Sequence, residues 1–510
     1  MISISPKNSS VPWLFLLFII AAYVNIGAFD KLNKRPQGPH QWAQCDRASV
    51  ALNFYQESMD IFHPRVHNKI NGSGITGLEF PAVNFLVAIA YKIFGFHEYI
   101  YRLIVALFFF TGQFFALKIA REYIQNGFLA ILTVLLFTFS PVLVFYTFNF
   151  IPDMVSLGLA MIAWYFFIQF RKGKGVHYRR WLQFVLVFSC LIKITIVLVV
   201  GTMVFLWYFE KRKKEQNPWS ALTSKEMLGW TGLTLLPVIL WYVYASWLNT
   251  SYRAGFFLLH PKPIHSVNNF IETLRTVWTE HGLQYYPVPV YMLILTVFLI
   301  MVFMKTKTEP FLRRVVLLLF LMFTVFFIVM GPQLIDHDYY IITFLPFFFF
   351  SLVLIVNWLE RTILMKTWTI ITALLAFIFL TNYSMIQSKK DLRSRYNPES
   401  WQYGNKVMNR YFELESALRA SGIKREDRVV SYQDLTSNSS LYLMNQYGMT
   451  LSEKDSLVVQ RPVFQSVKFA ILNEQVTEQT VFLQPYLGKL ILSKDGIWVY
   501  AWNPEKRESQ

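Results

Sequence analysis

Blocks of about 20 apolar residues recur along this chain, separated by short polar links, and that recurrence fixes the solvent. A helix rises about 1.5 Å per residue, so such a block crosses a hydrocarbon layer of ~30 Å with its backbone internally hydrogen-bonded. The blocks lie near 11–29, 99–118, 127–148, 154–170, 180–192, 194–210, 228–248, 288–304, 314–331, 339–358 and 366–383. They predict a multispanning α-helical membrane protein with about eleven transmembrane helices. The first block is too long for the core of a cleaved leader and no small-residue cleavage site follows it in "AAYVNIGAFDKLNKR", so it is expected to be a retained helix.

With 48 Lys and Arg against 31 Asp and Glu the net charge is +17, a balance that in a soluble chain would suggest nucleic acid. Here the basic residues sit in short links instead of on one face, so no nucleic-acid partner is expected. The links "RKGKGVHYRR" (171–180), "EKRKKEQ" (210–216) and "KTKTEPFLRR" (305–314) are strongly basic. "GFHE" (95–98), "FNFIPD" (148–153) and "GPQLIDHD" (331–338) hold no Lys or Arg. This alternation predicts a cytoplasmic N-terminus. One apolar block, "EFPAVNFLVAIAYKIFG" (79–95), would break the alternation if it spanned. It is expected to lie along the outer surface, anchored by Tyr91 and Lys92, inside one external loop from 30 to 98.

Residues 384–510 have ordinary polarity, strand-like runs "RVVSY", "KFAILN" and "KLILSKDGIWVYAW", and a helix-like "SWQYGNKVMNRYFELESALRASG". They predict a small extracytoplasmic α/β domain after a transmembrane domain of residues 1–383. Cys45 and Cys190 are too few for a disulfide framework and are assigned to different helices. No metal site is read, and whether a divalent metal takes part is left open.

The ionisable residues avoid mid-helix positions and gather at the non-basic ends of the spans. In the first loop, residues 41–57 predict a helix with Asp46, Ser49, Asn53 and Glu57 on one face and Ala48, Ala51 and Tyr55 opposite. That polar face either meets water or lines a cavity. Asp153 opens a helix, where a carboxylate is at least a favourable partner for the helix dipole. Lys193 lies between two spans and either snorkels to the interface or serves a substrate. "HDYY", His337 to Tyr340, is either an interface belt or one wall of a site. Charges gathered at one level outside the bilayer suit a substrate with a polar head and a lipid tail.

The motif Trp42-x-Gln44-x-Asp46, "HPRV" (63–66), the 79–95 block, Arg102 in "EYIYRLIVALF", "PDM" (152–154), Lys193 and "HDYY" (337–340) occur in an order that resembles a known family. It is that of the GT-C fold membrane glycosyltransferases, in the branch of protein O-mannosyltransferases and lipid A aminoarabinose transferases. The resemblance covers about the first 385 residues. It implies a sugar taken from a polyprenyl-phosphate donor and passed to a lipid, glycan or protein acceptor outside the membrane. It departs at Arg47, where the mannosyltransferases carry a second acid after the first.

The residues fit that chemistry. Cleavage of a sugar–phosphate bond needs a fixed cation for the leaving phosphate, a role given to Lys193 with Arg65 and His337 assisting. The acceptor hydroxyl or amine needs a base, assigned to Asp46, and one displacement with one base inverts the anomeric centre. Asp153, Glu79 and Asp338 are assigned to sugar or acceptor hydroxyls, and Tyr339 and Tyr340 to the ring or the prenyl chain. Two rivals remain: a transporter, which would need repeated halves and paired midplane charges, and an O-antigen ligase or polymerase, which would need more external arginine.

Overall fold

The computed structural model describes residues 11–212, 224–254, 261–303, 307–362, 367–451, 462–473 and 478–503. Parts of two basic links, 213–216 and 305–306, and the end of the tail therefore lie outside the described residues. The helices in chain order are α1 (Val11–Ile26), α2 (Gln41–Gln56), α3 (Ala82–Phe94), α4 (Glu98–Tyr123), α5 (Gly127–Thr138), α6 (Pro141–Thr147), α7 (Asp153–Arg171), α8 (Val176–Ile192), α9 (Val197–Arg212) and α10 (Lys225–Ser251). They continue as α11 (Val267–Tyr285), α12 (Val288–Phe303), α13 (Pro310–Met330), α14 (Leu345–Thr362), α15 (Thr367–Arg395), α16 (Leu414–Ala420) and α17 (Ser439–Leu443).

Every apolar block is helical in its described residues, and among these residues fewer than eleven helices qualify as spans. Among the described residues seven helices are long and apolar enough to cross a membrane, and two bent pairs raise this to at most nine. α5 and α6 meet at 74° and α11 and α12 at 106°. Proline causes both breaks. Pro141 has no N–H to continue the first helix, and Pro287 forces Tyr286 into an extended backbone.

The chain forms two compact units. Unit 1 comprises residues 1–32, 102–241 and 259–393. Its axis is the almost wholly buried stretch Asp338–Thr362, against which α5, α12 and α13 pack, while α15 is mostly exposed. α7 lies along α8 through hydrogen bonds between Ser156 and Ser189, small residues that let the backbones approach. α4 crosses α7 more closely still: a Cβ on Gly112 would sit 2.5 Å from the Gly158 Cα.

Unit 2 comprises residues 33–101, 242–258 and 394–510. It holds a five-stranded sheet of β1 (Val429–Tyr432), β2 (Gly448–Leu451), β3 (Phe469–Leu472), β4 (Leu487–Lys494) and β5 (Ile497–Trp502), in the order β2-β1-β3-β5-β4. β2, β1 and β3 are parallel, and β5 is antiparallel to both neighbours. Asp495 and Gly496 both take positive φ and close the β4–β5 hairpin, the backbone that an Asp-Gly pair favours. First-loop residues continue the sheet at its β2 edge: Lys69 N–H donates to the Gly448 carbonyl at 2.7 Å. The helix expected over 400–422 is interrupted. Two short 3-10 turns, Trp401–Tyr403 and Lys406–Tyr411, precede α16, because Gly404 leaves the helical region at φ +82°.

α3 has the amphipathic character expected of a surface helix. It buries Val83, Val87, Ala88 and Tyr91 and exposes Leu86, Ile89, Ile93 and Phe94. At 13 residues it is too short to span. Tyr91 is not its exposed anchor: its ring packs against Tyr55 and Phe96.

Candidate active site

In unit 1 the sequence-selected residues Asp153, Lys193, His337, Asp338, Tyr339 and Tyr340 form one cluster. Asp153 is the first residue of α7, behind the loop 148–152. Two side chains shape that loop. Asn149 accepts from the Phe150 and Ile151 amides, and the fully buried Arg102 donates to the Phe148 carbonyl at 2.7 Å while lying over the Phe150 ring. Lys193 occupies the break between α8 and α9, where its extended backbone (φ −144°, ψ 107°) turns the side chain out of the helical path.

The Lys193 Nζ lies 2.8 Å from Asp153 Oδ1, and both residues are only 4% exposed. This excludes snorkelling, since an ammonium that seeks water is not buried against a carboxylate. Tyr340 and Tyr339 cover it, their ring centroids 4.2 and 5.3 Å from the nitrogen. "HDYY" is likewise no exposed belt. Asp338 is buried and accepts from the Tyr146 hydroxyl at 2.5 Å, and the half-buried His337 stacks on Tyr340 at 4.7 Å. Asp336, by contrast, is exposed, with Lys262 at 3.7 Å. Tyr146 was not singled out by sequence. It lies in an apolar helix 192 residues before Asp338, and no local pattern marks it.

The segment bearing Asp338, Tyr339 and Tyr340 continues into Ile341 and Phe344, which line an apolar cavity of about 330 Å³. Phe270, Trp278, Phe323 and Phe347 complete much of its wall. One seven-residue segment thus carries the polar cluster at its start and a greasy wall at its end.

In unit 2 α2 carries Asp46. The motif glutamine Gln44 is buried and donates to the Gln37 and Pro39 carbonyls, tying the preceding loop to the helix. The polar face of α2 is buried at Asp46, Ser49 and Asn53, while Glu57 just past its end meets water. Ser49 and Asn53 are buried against His67, whose Nε2 is 3.1 Å from Asn445 Oδ1. Burial, reinforced by Arg425, holds the His67 pKa well below the usual imidazole value, so the ring is neutral. Asp46 is 8% exposed, not the exposed-face carboxylate its helical position suggests. Burial pushes its pKa up to about 7; Arg47 and Asn438 oppose the rise and Asp434 adds to it.

The other two selected residues of unit 2 have ion-pair partners of their own. Glu79 meets Arg47 at 2.6 Å, and Arg65 lies 3.6 Å from Glu57, which also takes Lys69 at 2.8 Å. Arg47, the departure from the mannosyltransferase pattern, thus stands between Asp46 and Glu79 electrostatically. Among the described residues no group of three or more His, Cys, Asp or Glu is placed to hold a metal ion.

Comparison with known proteins bears on the resemblance. Residues 79–244 match the sequence model of the dolichyl-phosphate-mannose-protein mannosyltransferase family. No curated protein matches the sequence. Among solved structures, apo ArnT from Cupriavidus metallidurans aligns over 98% of both chains at 13% identity with a TM-score of 0.62. The same protein bound to undecaprenyl phosphate aligns over 98% of this chain and 100% of its own at 14% identity, again with a TM-score of 0.62. The arabinofuranosyltransferase AftD from Mycobacteria matches at 12% identity and a TM-score of 0.53, over 96% of this chain but 40% of its own. The chain is therefore an integral multi-pass membrane protein with the GT-C fold, similar in architecture to ArnT and AftD and, over residues 79–244, in sequence to the dolichyl-phosphate-mannose-protein mannosyltransferases.

Proposed function

We propose that this protein is an inverting glycosyltransferase that takes a sugar from a polyprenyl-phosphate donor and delivers it to an acceptor on the outer side of the membrane. The observation that carries the reading is the continuity of the Asp338–Phe344 segment, polar against Lys193 at one end and lining the apolar cavity at the other. An amphiphile with an anionic head and a prenyl tail is the ligand class such a segment suits. ArnT, whose fold this chain shares, has been seen with undecaprenyl phosphate, which supports the same class of donor here.

In this reading Lys193 faces the phosphate as the glycosidic bond breaks, its geometry fixed beforehand by Asp153 and the two tyrosine rings. A preorganised cation costs no reorganisation when the negative charge appears. His337 assists at the same phosphate, Asp338 held by Tyr146 takes a sugar hydroxyl, and part of the prenyl chain fills the cavity. Asp46 removes the acceptor proton. A carboxylate with a pKa near 7 is a stronger base than an ordinary one and is still half ionised at neutral pH. Glu79 tempers Arg47, which would otherwise lower the basicity of Asp46 further. Arg65 is left a supporting role through Glu57.

Single-turnover transfer from a labelled polyprenyl-phosphate sugar tests the assignment. Asp46→Asn should lower the rate by roughly 10² or more, the scale for losing a general base, with donor affinity kept. In the unaltered protein the rate should fall on the acid side of about pH 7, and that limb should vanish in Asp46→Asn. Normal transfer by Asp46→Asn together with loss in Asp153→Asn would move the base to Asp153, activity in both would exclude either as the base, and no transfer by the unaltered protein would sink the glycosyltransferase reading. Orientation has its own check: a reporter active only in the cytoplasm, fused at Gln510, should be silent.

A further inference from the structure

A second polar-to-apolar site lies in unit 1, where the end of α9 packs beside the start of α13. Arg212, Arg314, Phe209, Leu317 and Leu318 line a cavity there of about 540 Å³. We propose that it holds an anionic phospholipid, with the phosphodiester between the two guanidinium groups and an acyl chain against the leucines. The proposal is independent of the glycosyltransferase reading.

Three observations carry it. Neighbouring cations are neutralised by named acids: Arg171 by Glu210, Lys211 by Glu226, Arg361 by Glu309. Arg212 and Arg314 have no ion-pair partner among the described residues, yet both face one cavity. Arg314 also stands only one turn inside the N-terminus of α13, the positive end of the helix dipole, where a cation is unfavourable unless an anion joins it. Finally, the lining is ordered by depth. Phe209 is one turn before Arg212 on α9, and Leu317 and Leu318 are one turn after Arg314 on α13, so on each helix the apolar residues share the face of the arginine. Charge at the end and hydrocarbon one turn inward is complementary to a lipid, and a bare phosphate would leave the apolar level empty.

The test is native mass spectrometry of the full chain in detergent, titrated with phosphatidylglycerol, phosphatidylcholine, undecaprenyl phosphate or inorganic phosphate. Phosphatidylglycerol should bind well above phosphatidylcholine, and Arg212→Gln with Arg314→Gln should weaken it roughly 30-fold. The same pair changed to Lys should recover most of the affinity, which separates lost charge from misfolding. Melting in lipid-free detergent should be unchanged in either double variant, since neither arginine anchors the fold. Equal retention by the Gln variant, equal binding of phosphatidylcholine, or full displacement by millimolar inorganic phosphate would each overturn the proposal. So would selective loss of undecaprenyl phosphate in the Gln variant, which would make the cavity a substrate site.

Discussion

Lys193 and Asp153 hold each other where neither charge could be kept alone, and that interdependence makes the pair testable apart from catalysis. Removing one member of a buried ion pair leaves the other uncompensated, at a cost of about 3–5 kcal/mol, whereas removing both costs much less. Lys193→Ala should therefore lower the melting point in detergent by more than Lys193→Ala combined with Asp153→Ala. A double variant less stable than the single one would mean that the 2.8 Å contact is not the dominant interaction of either residue. The comparison also bears on function. If Lys193 serves the leaving phosphate, the double variant should regain stability but not turnover, a split that a purely structural lysine would not give. Asp46 obeys the opposite linkage. Its folded-state pKa is raised, so the folded chain binds the extra proton between the ordinary carboxylate pKa and about 7, and its contribution to stability falls as pH rises through that window. Asp46→Asn removes this loss. The variant should gain stability relative to the unaltered protein as pH rises from about 4 to 7, and a constant difference across that range would show that Asp46 titrates normally.

At the scale of single elements, the close crossing of α4 and α7 decides where Asp153 stands, because that residue is the first of α7. A Cβ on Gly112 would meet the Gly158 Cα, and one on Gly158 would meet the Phe108 carbonyl at 2.3 Å; both obstacles are backbone and cannot rotate away. Gly112→Ala should cost about 1–3 kcal/mol by overpacking and displace the Asp153 end of the helix. Gly229→Ala on α10, where nothing lies within 4 Å, should be neutral or stabilising by up to ~1 kcal/mol. Matching melting points for the two variants would contradict the close approach. Neither glycine is distinguishable in the sequence, and the contrast shows what a sequence can carry. Hydropathy located the helices of the apolar blocks because that signal is local, whereas the run "KLILSKDGIWVYAW", read as strand, is two strands folded back at Asp495 and Gly496. The β2 strand, α11 and the breaks at Ser140 and Tyr286 were missed, since a four-residue strand and a proline inside an apolar run leave the average composition almost unchanged. Asp153, Lys193 and "HDYY" were legible as ionisable groups at the ends of spans. Tyr146, the partner of Asp338, was not, and Arg102 stood in the motif order without any sign of its bond to the Phe148 carbonyl, because both pairings join residues far apart in the chain.

For the whole molecule, the composition of unit 2 from three separate stretches determines what the tail does. Residues 394–510 do not fold beside an independent first loop; they supply the groups that the loop packs on. Asn445 meets His67, Gly448 pairs with Lys69, and Arg35 reaches the Leu443 carbonyl while its guanidinium meets Glu98, a carboxylate that also accepts from Tyr442. Asn438 and Asp434 are among the groups that set the Asp46 pKa. Deleting everything after Arg393 should leave the helices of unit 1 inserted, since their apolar surface requires only lipid. It should release residues 33–101, whose buried Ser49, Asn53 and His67 would lose their partners and open to water. Limited proteolysis on the outer side should then cut the deleted chain rapidly between 33 and 80 and spare the full one, and donor-dependent transfer should be lost. A truncated chain whose first loop stays resistant and whose transfer persists would show that the tail is dispensable and that the loop carries its own fold.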